Sequence, residues 1–184
     1  MVKEQDEQNT FDLFLLSSVL FPKAHMGLRI FEPRYLDMVS RSLRHGKPFG
    51  ICLATEDQGP DQVGTLAQIV DWQSENGLLL IEVEGMQRFT VQDWEWGHDV
   101  VVARVHLWPE EPKLPLAFEH AWVQTVLLEL FDGSPPSDLD ASTASMMLAQ
   151  ALPLRSKEKQ ELLLLLDPLE RLRRISAFFH RQRK

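Results

Sequence analysis

Apolar and polar residues alternate with a strand period through the first 108 residues, and then the pattern changes. Phe11, Leu13 and Leu15 share one face of a strand predicted over 11–16. Met26, Leu28 and Ile30 share one face of a second, with Arg29 on the opposite side. The run FGICLAT at 49–55 is apolar on both faces, as in a central buried strand, and the polar loop at 56–62 ends it. Two further strands, 63–72 and 78–84, are joined by a turn containing Asn76-Gly77, the strongest hairpin signal in the chain. Gly85, the QRFTV run and the β-branched stretch 99–108 bring the set to six or seven strands. Gly50, Gly64 and Gly85 lie in or beside strands, where glycine marks a bulge or a tight barrel corner.

One short helix interrupts the strands. Pro33 suits the first helical position, Leu36, Val39 and Leu43 form an apolar stripe, and Gly46 offers a left-handed stop. Arg41, Arg44 and His45 fall near its end, where positive charge suits the helix dipole. Residues 1–10 are polar and acidic and are expected to be disordered. The expectation for 11–108 is a compact, barrel-like β domain.

Beyond it the period becomes helical. PEEPKLP (109–115) reads as a linker, followed by a helix over 116–131 with Phe118, Trp122, Val126 and Leu130 recurring every four residues. The turn DGSPPSD stops it, and a second helix over 141–152 ends at Pro153. Ser156 is expected to cap a third helix containing Leu162 to Leu166. Asp167-Pro168-Leu169-Glu170 opens a last helix, with Leu169, Leu172, Ile175 and Phe179 on one face. The fold class is therefore α+β, with a helical bundle over 116–184 after the β domain.

Composition narrows the functional classes. The chain is 44% apolar and 25% charged, ordinary for a soluble globular protein. Its net charge of −8 disfavours nucleic acid as a partner, because binding a phosphate backbone needs a broad basic surface. The single cysteine, Cys52, excludes an internal disulfide and a Cys-rich zinc site, and its neighbours Ile51 and Leu53 point to a buried thiol in a reducing cytoplasm. The N-terminus lacks the basic and apolar regions of a signal peptide, and the longest apolar run, 162–166, is far too short to span a bilayer. No membrane association is expected.

Chemistry is sparse. There is no phosphate-binding glycine loop and no GxSxG elbow, and the six histidines lack metal-ligand spacing. Ser156 and Lys157 are adjacent, so on a helix they do not face each other. No catalytic residue, cofactor or metal is expected. Arg171, Arg173, Arg174, Arg181, Arg183 and Lys184 read as a solvated cationic face of the last helix. Trp94 and Trp96 share one strand face, with core packing the expected role.

FDLFLLSSVLFPKAHMGLRIFEPRYLDMV resembles the opening of the N-terminal, substrate-binding domain of Lon proteases. VGTLAQI (63–69) and VEGMQRF (83–89) resemble its later glycine-bearing strands, and LAQALPL with KEKQELLLLLDPLERL its closing helices. The resemblance runs from Phe11 to about Phe179 and implies a PUA-like β pseudo-barrel followed by a helical bundle. Glu32, Pro33, Gly64, Gly85 and Arg88 are its structural motif positions. Two departures bear on loop geometry: Asp12 stands where the family usually has Pro, and Lys23 where Gly usually follows the Phe-Pro pair.

The chain stops where a Lon protease would continue into its ATPase and Ser-Lys peptidase domains, which implies a stand-alone, non-catalytic recognition module. Its expected partners are unfolded or partly unfolded protein segments, or a separate protease or chaperone for which it would be an adaptor in quality control, with weak self-association at most. The expected contact residues are Phe21, Pro22, Arg29, Phe31, Arg34 and Tyr35, with Glu32 and Arg34 also bracing the strand–helix junction. An exposed sheet edge would recruit an extended peptide by strand addition. Two alternatives stand beside this reading. PUA-like folds are also used on RNA, for which only the C-terminal arginines speak. A small enzyme with an unrecognised site is the other, for which Cys52 is the only thiol candidate and its apolar neighbours disfavour a thiolate.

Overall fold

The computed structural model describes residues 9–116, 120–131 and 139–182, with side chains of the last helix as far as Phe179. Most of the expected disordered N-terminus (1–8), Phe118, the DGSPPSD turn, the side chains of His180 and Arg181, and Arg183 and Lys184 lie outside the described residues. The chain divides into two compact units, one ending at Pro109 and the other beginning at Glu110.

Among the described residues, the first unit holds six strands and one helix: β1 (Thr10–Leu16), β2 (His25–Ile30), α1 (Pro33–His45), β3 (Phe49–Ala54), β4 (Pro60–Glu75), β5 (Leu78–Trp96) and β6 (Val101–Leu107). The strand order is β2-β5-β4-β3-β1-β6, with β5 also paired to β6. β1 runs parallel to β3, Phe14 opposite Ile51, and every other pairing is antiparallel. The 19-residue β5 makes this arrangement close. Its first half pairs with β2 and β4, and its second half with β6. β1, β3, β4, β5 and β6 thus form a ring, and β2 is added outside it on β5. The segments expected as separate pieces at 78–84, QRFTV and Trp94–Trp96 are one strand.

Alternation on β1 feeds two cores. Leu13, with Phe11 and Leu15 beside it, packs with Cys52, Leu66, Phe89 and Val105, while Phe14 joins Leu20, Ile30, Tyr35, Met38, Val39, Phe49 and Ile81. The Asn76-Gly77 turn has φ of 51° and 78°, the two left-handed residues that match strand twist in a two-residue hairpin. Pro33 opens α1, and Gly46 closes it with φ of 61°. The buried face of α1 is Tyr35, Met38, Val39 and Ser42, whereas Leu43, expected on the stripe, is exposed. The whole apolar face is rotated toward Tyr35, which packs its ring 4.0 Å from that of Phe14.

The second unit contains α2 (Ala121–Leu130), α3 (Ala141–Ala151), α4 (Ser156–Leu163) and α5 (Pro168–Gln182). α2 buries Val123 and Leu127, while Trp122 and Val126 are half-buried and Leu130 is exposed, so the expected four-residue stripe is displaced by one position. Asp140 caps α3 by accepting from the Ser142 and Thr143 backbone N–H groups. The expected cap of α4 is corrected: Ser156 is already helical, Arg155 is the cap residue, and Glu158 accepts from the Arg155 backbone N–H at 3.0 Å. That helix ends at Leu163, so the Leu164–Leu166 run leaves it and Leu166 is exposed. Asp167 accepts from the Leu169 N–H at the start of α5.

The segment expected as a linker belongs to this unit from Glu110 onward. The Leu114 carbonyl accepts from the Ala141 N–H at 2.7 Å, and Glu111 binds Arg171. Arg171, expected on a solvated face, is fully buried. It lies three residues after Pro168 and four before Ile175, both buried, which puts it on the apolar stripe of α5. Only Arg173 and Arg174 of the described arginines on α5 are exposed, and both bond Glu170.

Candidate functional site

The expected contact residues separate into a buried corner and an exposed rim. Val19, Leu20, Phe21 and Ala24 are buried, and Phe21 has no solvent exposure. Phe21 therefore cannot meet a partner, and Pro22 beside it is half-buried. The corner is tied to the barrel by backbone bonds: Lys23 N–H donates to the Gly85 carbonyl at 2.7 Å, and Gly85 N–H donates to the Ala24 carbonyl at 2.8 Å. Buried Thr65 donates its hydroxyl to the Leu20 carbonyl at 2.7 Å. Gly85 is needed because the chain passes so close: a Cβ there would overlap the Phe21 carbonyl oxygen. Gly64 meets the same demand, since a Cβ would overlap the Cys52 sulfur and the Phe89 ring. Lys23, at the position where glycine was expected, holds a left-handed φ of 64°. Asp12, in place of proline, pairs with Arg41 at 2.7 Å.

The other four expected residues converge. A cleft of about 260 Å³ has Phe14, Leu16 and Ser17 on one wall, Leu28, Arg29 and Phe31 on the other, and Arg34 and Tyr35 of α1 at its base. Phe31 is 73% exposed, the highest value among the large apolar residues described as exposed. Arg29 is exposed beside it. Glu32 and Arg34 pair with each other at 2.6 Å, and the Arg34 guanidinium lies 4.8 Å from the centre of the Tyr35 ring. Burial pushes the Tyr35 phenol above its ordinary value, with Arg34 pulling it back. Tyr35 thus presents little of itself, and the accessible rim is Arg29, Phe31 and Arg34. Arg88 lies elsewhere, buried against Trp108 with 4.5 Å between its guanidinium carbon and the ring centre.

Sequence reasoning missed Trp72, Leu28 and Leu80, which line a second cleft of about 540 Å³ over β2, β5 and β4. Trp72 is 56% exposed near the tip of the hairpin. Trp72 pairs with Ile81, and Ile81 with Leu28, so Trp72, Ile81 and Leu28 form one row across the sheet, while Leu80, paired with Gln73 and Arg29, lies on the other face. Their signal in the sequence was the apolar side of the Asn-Gly hairpin continuing past the end of the barrel. Trp94 and Trp96, expected to pack in the core, are 40% and 50% exposed, although Trp94 lies against Gly59. A wider cleft of about 970 Å³ lies between β1 and the end of α1, crossed by the Asp12–Arg41 pair.

Cys52 is buried, and burial pushes its thiol well above the ordinary range, with Asp61 adding to the shift. Among the described residues no group of three His, Cys, Asp or Glu side chains is placed to hold a metal, and no helix is long and apolar enough to cross a membrane.

Comparison with known proteins gives one consistent answer. The family model for the ATP-dependent protease La (LON) substrate-binding domain matches residues 11–181. The Lon protease of Phenylobacterium zucineum (strain HLK1) is 29% identical over 89% of this chain, which spans 23% of that protein's length. A Lon N-terminal domain protein from Xanthomonas campestris, solved by crystallography, superposes with a TM-score of 0.79 and 35% identity, covering 91% of this chain and 97% of that one. The N-terminal domain of the Mycobacterium avium complex Lon protease has the same fold, with a TM-score of 0.68 at 16% identity over 90% of this chain and 95% of that one. The family match covers nearly the whole chain and the solved relatives superpose on most of it, and the chain belongs to the Lon substrate-binding domain family.

Proposed function

We propose that this protein recognises unfolded or partly unfolded polypeptide through the rim of the β1–β2–α1 cleft, as an adaptor in protein quality control rather than as a catalyst. The observation that carries the reading is Phe31, a large aromatic left 73% exposed between Arg29 and the Glu32–Arg34 pair. An isolated exposed leucine needs no explanation, but an aromatic held out at a cleft mouth is a contact group. Phe31 supplies apolar area at low entropic cost, and Arg29 adds a cation to hold carbonyls or carboxylates of the bound chain. Family membership supports a substrate-binding role. The client or partner protease, and a cytoplasmic setting suited to the single buried thiol, belong to the same proposal.

The test uses a permanently unfolded probe, reduced and carboxymethylated lactalbumin, titrated against the fluorescently labelled protein. Phe31→Ser combined with Arg29→Ser is expected to weaken binding about tenfold or more, with the melting temperature unchanged because both side chains are exposed. Equal affinity in the double variant removes the rim from the reading.

A further inference from the structure

We propose that the outer edge of β2 is a strand-addition site, which takes an extended segment of unfolded polypeptide into the cleft it shares with the end of β1. The inference rests on the recognition reading above and specifies how the bound segment is held.

The backbone geometry comes first. β2 pairs with β5 alone among the described strands. The bond from Gly85 N–H to the Ala24 carbonyl sets the antiparallel alternation. Met26, Leu28 and Ile30 therefore exchange bonds with β5, while His25, Gly27 and Arg29 turn their N–H and C=O groups away from it. Of these three, Arg29 lines the cleft, together with Leu28, Ile30 and Phe31, and the lining includes residues of β2 and β1 but none of β5; His25 and Gly27 continue the same edge beside the larger cleft over β2, β5 and β4. On the opposite wall, β1 pairs with β6 only as far as Leu13, so Phe14 to Leu16 continue past that pairing.

Sheet edges in folded proteins are ordinarily blunted by proline, a bulge or an inward charge. β2 carries none of these: its six residues pair with β5 in unbroken register and include no proline. The side chains then define the occupant. One face of β2 presents half-buried Met26 and Leu28, continuous with the core, and the other presents exposed His25, Gly27 and Arg29. An added strand thus meets an apolar surface on one face and a polar one on the other, so its apolar residues fall at every second position. Nothing lies within 4 Å of where a Gly27 Cβ would be, which leaves room for a bulky neighbour. Phe31 stands at the end of the edge. Folded proteins have few free strands to offer, so the fitting partner is an unfolded chain.

The decisive probe is a capped nonapeptide of alternating valine and threonine, titrated with the wild-type protein in three forms. Methylating the backbone nitrogens along one edge leaves the other edge free, and this form is expected to bind like the unmodified peptide. Methylating both edges removes every usable donor row and is expected to weaken binding about tenfold or more. Gly27→Pro removes one outward N–H at a site where an edge strand tolerates proline, and is expected to weaken binding about tenfold, whereas Gly27→Ala, which keeps that N–H, is expected to bind more tightly than Gly27→Pro. If the doubly methylated peptide binds as well as the unmodified one, strand addition is overturned. If Phe31→Ser with Arg29→Ser then still weakens binding, the recognition reading survives without it; if those substitutions also have no effect, that reading fails too. A Gly27→Pro variant that loses self-association but keeps peptide affinity assigns the edge to a second copy of this chain and overturns the proposal.

Discussion

Arg171 is closed off from solvent and grips Glu111, sixty residues earlier, with both terminal nitrogens of its guanidinium. The other bonds complete the set: Nε donates to the Leu162 carbonyl, Nη1 to the Ser145 hydroxyl and Nη2 to the Leu165 carbonyl. Five bonds occupy the five donors of the side chain. The carboxylate of Glu111 also accepts from Ser142 at 2.6 Å, so one ion pair joins α3, the end of α4, α5 and the segment before α2. Removing one partner strands a buried charge, and Arg171→Ala is expected to destabilise the helical unit by about 3–5 kcal/mol. Arg171→Met with Glu111→Leu is expected to recover much of that loss, because no charge is left unpaired. Urea titrations followed by far-ultraviolet circular dichroism measure both, and a single variant as stable as wild type would rule out the hub.

Lys23 holds a left-handed backbone where the chain turns from the Phe-Pro corner into β2. A side chain in that region costs about 1–2 kcal/mol, and glycine avoids it while giving back about 0.5–1 kcal/mol in unfolded-state entropy. Lys23→Gly is therefore expected to stabilise the protein by roughly 0.5 kcal/mol, a rise of about 1–2 °C in melting temperature. Its exposed side chain leaves no lost packing to offset the gain. Calorimetry settles the sign.

Gly85 is the complementary case. The obstacle to a side chain there is the backbone of Phe21, with the carbonyl carbon 2.9 Å from the position of a Cβ, and backbone held by hydrogen bonds on both sides cannot step aside. Gly85→Ala is expected to cost about 3 kcal/mol, at the upper end for overpacking, and to loosen the whole corner from Leu20 to Ala24. Faster amide exchange at Lys23 than at Thr65 would locate the damage at the corner rather than in β4.

What the sequence made legible was local. The left-handed Asn76-Gly77 pair, the Pro33 start and Gly46 stop of α1, and the glycines at 64 and 85 all have causes within a few residues. Phe21 and Phe31 show where this ends. Both are phenylalanines flanking the same strand, yet one is wholly buried and the other is the most solvent-facing of the described large apolar side chains. Phe21 sits where its backbone meets Gly85, about sixty-four residues away in sequence, a contact no local pattern shows. The closing of the ring through β5 and β6 has the same character, and so does Arg171. Its charge argued for solvent, while its place between Pro168 and Ile175 on the helix argued for the core; only the partner at Glu111 settles which prevails. Within the candidate site, Arg29, Phe31, Arg34 and Tyr35 line one cleft, while Phe21, grouped with them in the sequence, is wholly buried; their spacing could not rank their exposure. Trp72 escaped because its row forms across three strands.

Cys52 supplies a prediction in which pH is the variable. Its thiol is packed among Leu13, Leu66, Phe89 and Val101, and burial, followed by the nearby Asp61, raises its pKa above the ordinary 9.0. The neutral thiol is favoured by the fold, so in the alkaline range the unfolded chain has released a proton that the folded chain keeps. Stability from this group is fully present below the unfolded pKa, near that ordinary value, and is lost as pH rises above it, at about 1.4 kcal/mol per pH unit. Other groups also titrate there, Tyr35 among them, so the contribution is read as the difference in unfolding free energy between wild type and Cys52→Ala. That difference is expected to be flat from pH 6 to 8 and then to move against the wild type. A difference that stays flat to pH 10.5 would mean that the folded protein ionises the thiol as readily as the unfolded chain. The same burial predicts that a thiol reagent at neutral pH modifies Cys52 only at the rate at which the barrel opens, so adding urea below the transition should accelerate labelling in step with the population of the open form.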